Sequence, residues 1–440
     1  MGRGYGRGPG KLRFRALLGV VGDAVDQIPD ARRAASTRYS LRDHYLSGLA
    51  MFFLQDPSLL EFQRRMQDEA QRNNVSTVFG VQQIPSDSQL RDVVDQHSWE
   101  PLASVFRECV RRAQRSKVLE NFQYLGDQYL MTLDGSEYFR SEALECPGCL
   151  RCERKDGTVE HYHQILQPAL VRPGLAQVLP LAPEFVRRQD GASKQDCETN
   201  AGKRLIRKIR QEYRQLSIII LGDSLYSTGP FVRELELLHY SYLLTAKPES
   251  HKSLFQDIEG LRRGGRLDTM ETLEPKGQKY CYEWINGVPL GADPKSPLIN
   301  FVQLTIYNAA GEKTYCCSWV TDIELGKANI VDVVRGARAR WKIENEGFNT
   351  LKNQGYHLEH NFGHGKKYLS ESFFLLNLLA FLMHQIFQLV DGLYQKARAA
   401  FSARQEYWST IRGVFRVLLF DSWDQVLERL TGPPTAAFPK

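Results

Sequence analysis

LSIIILGDSLYS, residues 216–227, is an unbroken apolar run that stops on an acid, Asp223. Apolar residues without alternation predict a strand buried on both faces, the kind found at the centre of a parallel sheet. Upstream, KQDCETNAGKRLIRKIRQEY reads as a basic helix. Downstream, GPFVRELELLHY reads as a helix, with Ser227 or Thr228 as cap and Pro230 in its first turn. SYLLTAKP follows as another strand. Further out, QYLMTLDGSEYF is a short apolar strand that meets an acid at Asp134, and TVEHYHQILQPALV and QVLPLAP add two more. Strands and helices in this order predict an α/β unit around a mixed sheet.

The chain has 440 residues, enough for two or three domains with cores of their own. Hydrophobic residues make up 42% and charged residues 25%, an ordinary globular balance that argues against a disordered or multi-span chain. The net charge of +6 is a mild excess and matters only where it is concentrated. The opening MGRGYGRGPGKLRFR is basic and glycine-rich, and it lacks a long apolar stretch. It predicts a flexible arm and not a signal peptide. Eight cysteines, two of them adjacent at Cys316 and Cys317, fit a reducing cytosol better than a disulfide framework. SFFLLNLLAFLMHQIFQLV, residues 372–390, is interrupted by Asn377, His384, Gln385 and Gln388. It predicts a buried helix of a large core and no membrane association.

Before residue 120, RDHYLSGLAMFFLQ, PSLLEFQRRMQDEAQRN and DSQLRDVVDQH carry apolar residues at threes and fours, an all-α pattern. Residues 253–325 return to short aromatic strands, KYCYEWING and NFVQLTIYN among them. Helix resumes at Ile330 and continues through WKIENEGFNTLKNQ.

Asp134 and Asp223 each end an apolar strand of one α/β unit. Two carboxylates at one sheet edge repel each other unless a cation lies between them, which suggests a Mg²⁺ or Mn²⁺ site of oxygen ligands. A third acid would come from ARARWKIENEGFNTLK, through Glu344 or Glu346. Two ions about 4 Å apart would clamp the attacking and leaving oxygens of a phosphodiester. For either Asp alone, a turn or helix cap is the plainer reading.

With these blocks the chain resembles the DDE transposases of bacterial insertion sequences, the insertion sequence 4-like group. The third acid of that group lies in a Tyr-x2-Arg-x3-Glu-x6-Lys signature. LDGSEYF matches the first Asp block, IIILGDSLYS the second and RWKIENEGFNTLK the third, with Arg340 placed before Glu344 as the signature requires. The resemblance covers roughly residues 120–390. It departs at Ala337, which occupies the tyrosine position, and at Lys352, which comes one residue late. That surplus makes Glu346 a competitor of Glu344, and a one-residue helix bulge near Gly347 would absorb it.

The resemblance implies a ribonuclease-H-like mixed-sheet catalytic core with a β-rich insertion and an N-terminal all-α region. It implies Asp134, Asp223 and Glu344 as catalytic metal ligands for two Mg²⁺ or Mn²⁺ ions, and Arg340, Lys352 and Trp284 on DNA, the tryptophan by stacking. It further implies cutting of terminal inverted repeats and joining to target DNA by a homodimer, with a cytoplasmic, nucleoid-associated protein. The expected organisation is a flexible basic arm over 1–16, a helical DNA-binding region over 17–120 and a first part of the catalytic core over 121–252. The β-rich insertion follows over 253–325, then the second part of the core with the Glu helix over 326–395 and a C-terminal helical tail over 396–440.

Other motifs admit other readings. A domesticated relative would bind DNA without cutting. Gly222-Asp223-Ser224-Leu225 spells the GDSL of an esterase family, with Ser224 as nucleophile, but no later Asp has a His three residues on. Cys146, Cys149 and Cys152 in CPGCLRC, with His161 and His163 in EHYH, have the spacing of a zinc site; the alternative is a tight turn with buried thiols. His357, His360 and His364 lie in a glycine-rich loop with Lys366 and Lys367, better suited to phosphates or the site edge than to metal. Trp319 and Trp341 read as core. The basic helix faces around Arg207 and Arg338 read as solvated or backbone-gripping.

Overall fold

The computed structural model describes residues 9–32, 37–66, 73–188, 197–275 and 277–432. Six helices come first: α1 (Phe14–Val25), α2 (Leu41–Phe53), α3 (Leu59–Met66), α4 (Asn74–Phe79), α5 (Asp87–Asp95) and α6 (Glu100–Arg115). Their starts follow local chemistry. Ser40 and Asp43 close a capping box on α2, Asn73 caps α4, Ser86 caps α5, and Pro101 sits in the first turn of α6. Residues 1–8 of the expected basic arm lie outside the described residues. The rest of that arm departs from expectation: Leu12 and Phe14 are buried, and α1 begins within it. Two apolar anchors outweigh the glycines there.

The sheet begins with β1 (Tyr129–Ser141), β2 (Leu150–Glu153), β3 (Val159–Val171), β4 (Leu179–Pro180) and β5 (Glu184–Val186). Then come α7 (Glu198–Glu212), β6 (Ile218–Gly222), α8 (Gly229–Leu237), β7 (Ser241–Ala246) and α9 (Lys252–Arg263). The strands β8 (Asp268–Glu274), β9 (Gln278–Pro289), β10 (Leu298–Tyr307) and β11 (Lys313–Thr321) precede α10 (Ile330–Arg338) and α11 (Asn349–Asn353). The chain ends in α12 (Leu369–Val390), α13 (Gly392–Ala399), α14 (Arg404–Val417) and α15 (Trp423–Thr431).

One mixed sheet runs β2-β3-β1-β6-β7-β11-β10-β9-β8, with β4 and β5 also on β3. β1, β6 and β7 are parallel at its centre, and all five residues of β6 are buried. That explains the unalternating IIILG run. The segment expected as a β-rich insertion opens with a helix, α9, and its four antiparallel strands extend the same sheet through the β11–β7 pairing.

α12 is buried from Leu369 to Phe387. Helices from both ends of the chain cover it. Phe53 of α2 packs on Phe14, Phe79, His384, Phe387, Trp408 and Trp423 at ring separations of 4.4–6.3 Å. The N-terminal helices therefore share one core with α12 and the C-terminal helices.

Candidate active site

The last ladder pair of the parallel β1–β6 contact is Thr132 with Leu221. Two residues further along each strand stand Asp134 and Asp223. Neighbouring strands lie about 4.8 Å apart, so the two acids share one edge of the sheet. Asp223 also ends its strand in a turn, its Oδ1 accepting the Leu225 N–H at 2.9 Å.

Glu344, the expected third acid, arrives on an irregular helix. α10 gives way to a tight turn over Ala339–Trp341, then a π-helical turn over Ile343–Phe348, then α11. The π turn contains Gly347, near which a one-residue bulge is expected. The buried Arg340 guanidinium donates to Glu344 Oε1 at 2.8 Å and lies 3.5 Å from Asp134 Oδ1. Glu346 points elsewhere. It accepts from Lys342 Nζ at 3.0 Å and lines a cleft with Gln385, Arg398 and Arg404.

A fourth carboxylate, Glu198, joins the group from the first turn of α7. Tyr226 Oη donates to it at 2.8 Å and Gln164 Nε2 at 3.1 Å. It fits because Gly135, beside Asp134, has no side chain; a β-carbon there would collide with the Glu198 carboxylate. Burial pushes the Asp134 carboxyl up to about 7; Arg340 opposes the shift, and Glu344, Glu198 and Asp223 add to it. Burial likewise raises Glu198, with Asp223 adding to it. Four carboxylates around one guanidinium leave an excess of negative charge that suits hard divalent cations with oxygen ligands.

Trp284 is a correction. It is 2% exposed and packed in the core, with Met270 and Tyr282 of neighbouring positions in the same apolar cluster. It faces inward from β9, where no base can reach it. Among the described residues, an exposed tryptophan is Trp341, 51% accessible and next to Arg340 in sequence, with the Arg340 guanidinium 5.0 Å from its ring centre. Lys352 is ion-paired with Glu359 at 2.7 Å.

The basic helix face of α7 is tied down: Arg207 binds Glu234, Arg204 binds Glu184, and Arg210 sits 3.9 Å over the Tyr240 ring. Ser224 finds no histidine partner among the described residues. His251 instead bonds Ser227, 2.8 Å away, which leaves the esterase reading without a base.

The cysteine motif divides. Cys146, Cys149 and His163 converge, and His364 from the distant glycine-rich loop joins them. Cys152 is exposed, and His161 pairs with Glu145 at 3.0 Å, so neither belongs to the cluster. Both sit in the register between β2 and β3, where Arg151 faces His161 and Cys152 faces Glu160.

No protein-family model matches the chain, and no curated protein matches it. Among solved structures, it is similar to a chain of the piggyBac transposase synaptic complex with hairpin DNA. The TM-score is 0.42 at 10% identity, over 97% of this chain and 81% of that one.

Proposed function

We propose that this chain is a DDE-type DNA transposase of an insertion sequence, resembling the insertion sequence 4-like group. It would cut transposon-end DNA and join it to target DNA. The observation that carries the reading is the meeting of Asp134 and Asp223, on adjacent parallel strands, with Glu344 across Arg340. A ribonuclease-H-like core is supported by the order β5-β3-β1-β6-β7, with β3 antiparallel to β1 and the other central strands parallel. Asp134, Asp223 and Glu344 would hold Mg²⁺ or Mn²⁺, which when bound supplies charge neutralisation at a phosphodiester. Arg340 orients Glu344 and offers its remaining N–H groups to phosphate. The partners would be terminal inverted repeats and target DNA, engaged by a homodimer in the cytoplasm at the nucleoid. A nicking assay on duplex DNA with Mn²⁺ tests the reading. A wild-type chain that binds DNA yet never nicks it would instead be a domesticated binder.

Two smaller predictions follow from the site's environment. Asp134 in the folded chain holds its proton up to about 7, whereas the unfolded carboxyl releases it near the ordinary 3.8. Between those values the folded state binds more protons, so metal-free stability should fall as pH rises, by at most about 1.4 kcal/mol per pH unit. Thermal melts should show a slope of that sign, Asp134→Asn should lessen it, and divalent metal, which competes with the proton, should flatten it. A melt series in which Asp134→Asn leaves the slope unchanged would contradict the assignment.

Trp341 should act on DNA where Trp284 does not. Stacking on an unpaired base contributes about 1–3 kcal/mol. Trp341→Ala should therefore weaken binding to end DNA with an unpaired flank roughly tenfold or more, and fully paired DNA much less. Equal losses on both substrates would rule out stacking.

A further inference from the structure

Cys146, Cys149, His163 and His364 stand apart from the acid cluster, and their arrangement is that of a metal centre. The two sulfurs are 3.7 Å apart. His163 Nε2 lies 3.4 Å from each of them, and His364 Nε2 lies 3.3 Å from Cys149 Sγ. The two Nε2 atoms are 3.2 Å apart. A zinc ion with Zn–S near 2.3 Å and Zn–N near 2.05 Å makes tetrahedral edges of about 3.8 Å for S–S, about 3.5 Å for S–N and about 3.3 Å for N–N. All five edges agree with these values to within about 0.3 Å, the spread that about ±0.2 Å in each metal–ligand distance allows.

The surroundings support ligation. His364 Nδ1–H donates to the Gly365 carbonyl at 3.0 Å, which leaves its Nε2 lone pair directed at the cluster. The Cys146 backbone N–H donates to Cys149 Sγ at 3.4 Å, a contact that favours a thiolate. Phe139 stacks on His364 at 4.3 Å and Tyr138 on His163 at 5.5 Å, so the rings are held in place. Cys149, His163 and His364 are all buried. Gly148 has no room for a β-carbon, which would approach Glu371 Oε1 to 2.9 Å.

We propose that these four side chains bind one structural Zn²⁺. Four protein ligands fill a tetrahedron and leave no position for water or substrate, which separates this centre from a catalytic one. Its place gives it a task. Cys146 and Cys149 follow β1, the strand of Asp134, and His163 lies on β3 beside it. His364 lies in the loop that follows the Glu344 helix. That loop is also held by Asp95, whose carboxylate accepts the backbone N–H groups of Lys366, Lys367, Tyr368 and Leu369 at 2.8–3.0 Å. The zinc thus staples the segment behind the third acid to the strand of the first. The proposal stands whether or not the acids cut DNA.

The full-length chain, purified without a polyhistidine tag, should hold about one zinc per chain by elemental analysis. Cys149→Ser and His364→Asn should each lose it, while Cys152→Ser and His161→Asn should keep it. Stripping the metal should lower the melting midpoint by several degrees, and added zinc should restore it. If the ligand variants fail to fold, cobalt replacement in the unaltered chain gives the second measurement, because two thiolates and two imidazoles in a tetrahedral field produce intense visible bands with thiolate charge transfer. Folded protein that takes up no zinc on titration overturns the proposal. So does zinc that survives His364→Asn but is lost with Cys152→Ser, and so does a melting midpoint indifferent to the metal.

Discussion

Asp223→Asn should reduce DNA cleavage with Mg²⁺ or Mn²⁺ on the order of a thousandfold, while DNA binding stays nearly intact. The asparagine is chosen because Asp223 has two tasks. Its Oδ1 caps the turn at Leu225 N, and an amide oxygen can still accept that bond. What the amide cannot do is supply the negative charge that a divalent cation needs. A variant that folds, melts near the wild type and binds DNA but does not cut therefore isolates the metal-holding role from the turn-capping one. Asp134→Asn should behave alike, with a bonus to metal-free stability because it removes a carboxyl whose charge is disfavoured by burial. Binding should survive both changes because phosphate contacts come from basic residues. If Asp223→Asn cut at the wild-type rate and Ser224→Ala were inert, the phosphoryl-transfer reading would fall.

The parts of this site that could be read from sequence are those with short-range signatures. β6 announced itself because a strand covered on both faces has no polar alternation, and its closing acid stands where such strands end. The π turn falls near Gly347, where the spacing of the resembled signature leads one to expect a bulge, and such a turn adds a residue without breaking the helix. Glu198 was not legible. It sits in the first turn of a helix, where an acid is ordinary, and its meaning comes from Gln164, Tyr226 and the bare Gly135 on other elements. His364 escaped for the same reason, since it lies 215 positions from Cys149 and only the fold brings them together.

The N-terminal helices gave a different lesson. Periodicity marked them as amphipathic but said nothing of what they cover. α12 is buried around its whole circumference from Leu369 to Phe387, and one sheet face cannot enclose such a helix. α2, α5 and α6 supply part of the remaining cover, so residues of that region are partly committed to the core. Any recognition of DNA by this region would have to come from its outer faces. Trp284 failed as a stacking residue on the same principle. Alternation along β9 places it inward with Tyr282, while the accessible indole, Trp341, sits in an irregular turn that no periodicity reports.

Glu344→Gln should lose cleavage by orders of magnitude, whereas Glu346→Gln should keep most of it. Both acids lie in the same π turn, and both pair with a cation four residues earlier. The difference is which cation. Arg340, the partner of Glu344, reaches Asp134 with the same Nη1 atom, so Glu344 belongs to the sheet-edge acids. Glu346, paired with Lys342, lines the cleft of Gln385, Arg398 and Arg404 instead. The two carboxylates thus point to different surroundings and do not line one site. Glu346→Gln keeps the size of the side chain and removes one partly buried ion pair away from the sheet-edge acids, a change that cleavage should hardly register. Glu344→Gln keeps the size of the side chain and can still meet Arg340 through its amide oxygen, so the fold has little reason to respond. What it loses is a charge beside Asp134, and with it a ligand for the cation. A melting midpoint unchanged in both variants, with cleavage lost only in the first, is the expected pattern. Cleavage lost only with Glu346→Gln would move the third acid two residues along and break the alignment of Arg340 with Asp134.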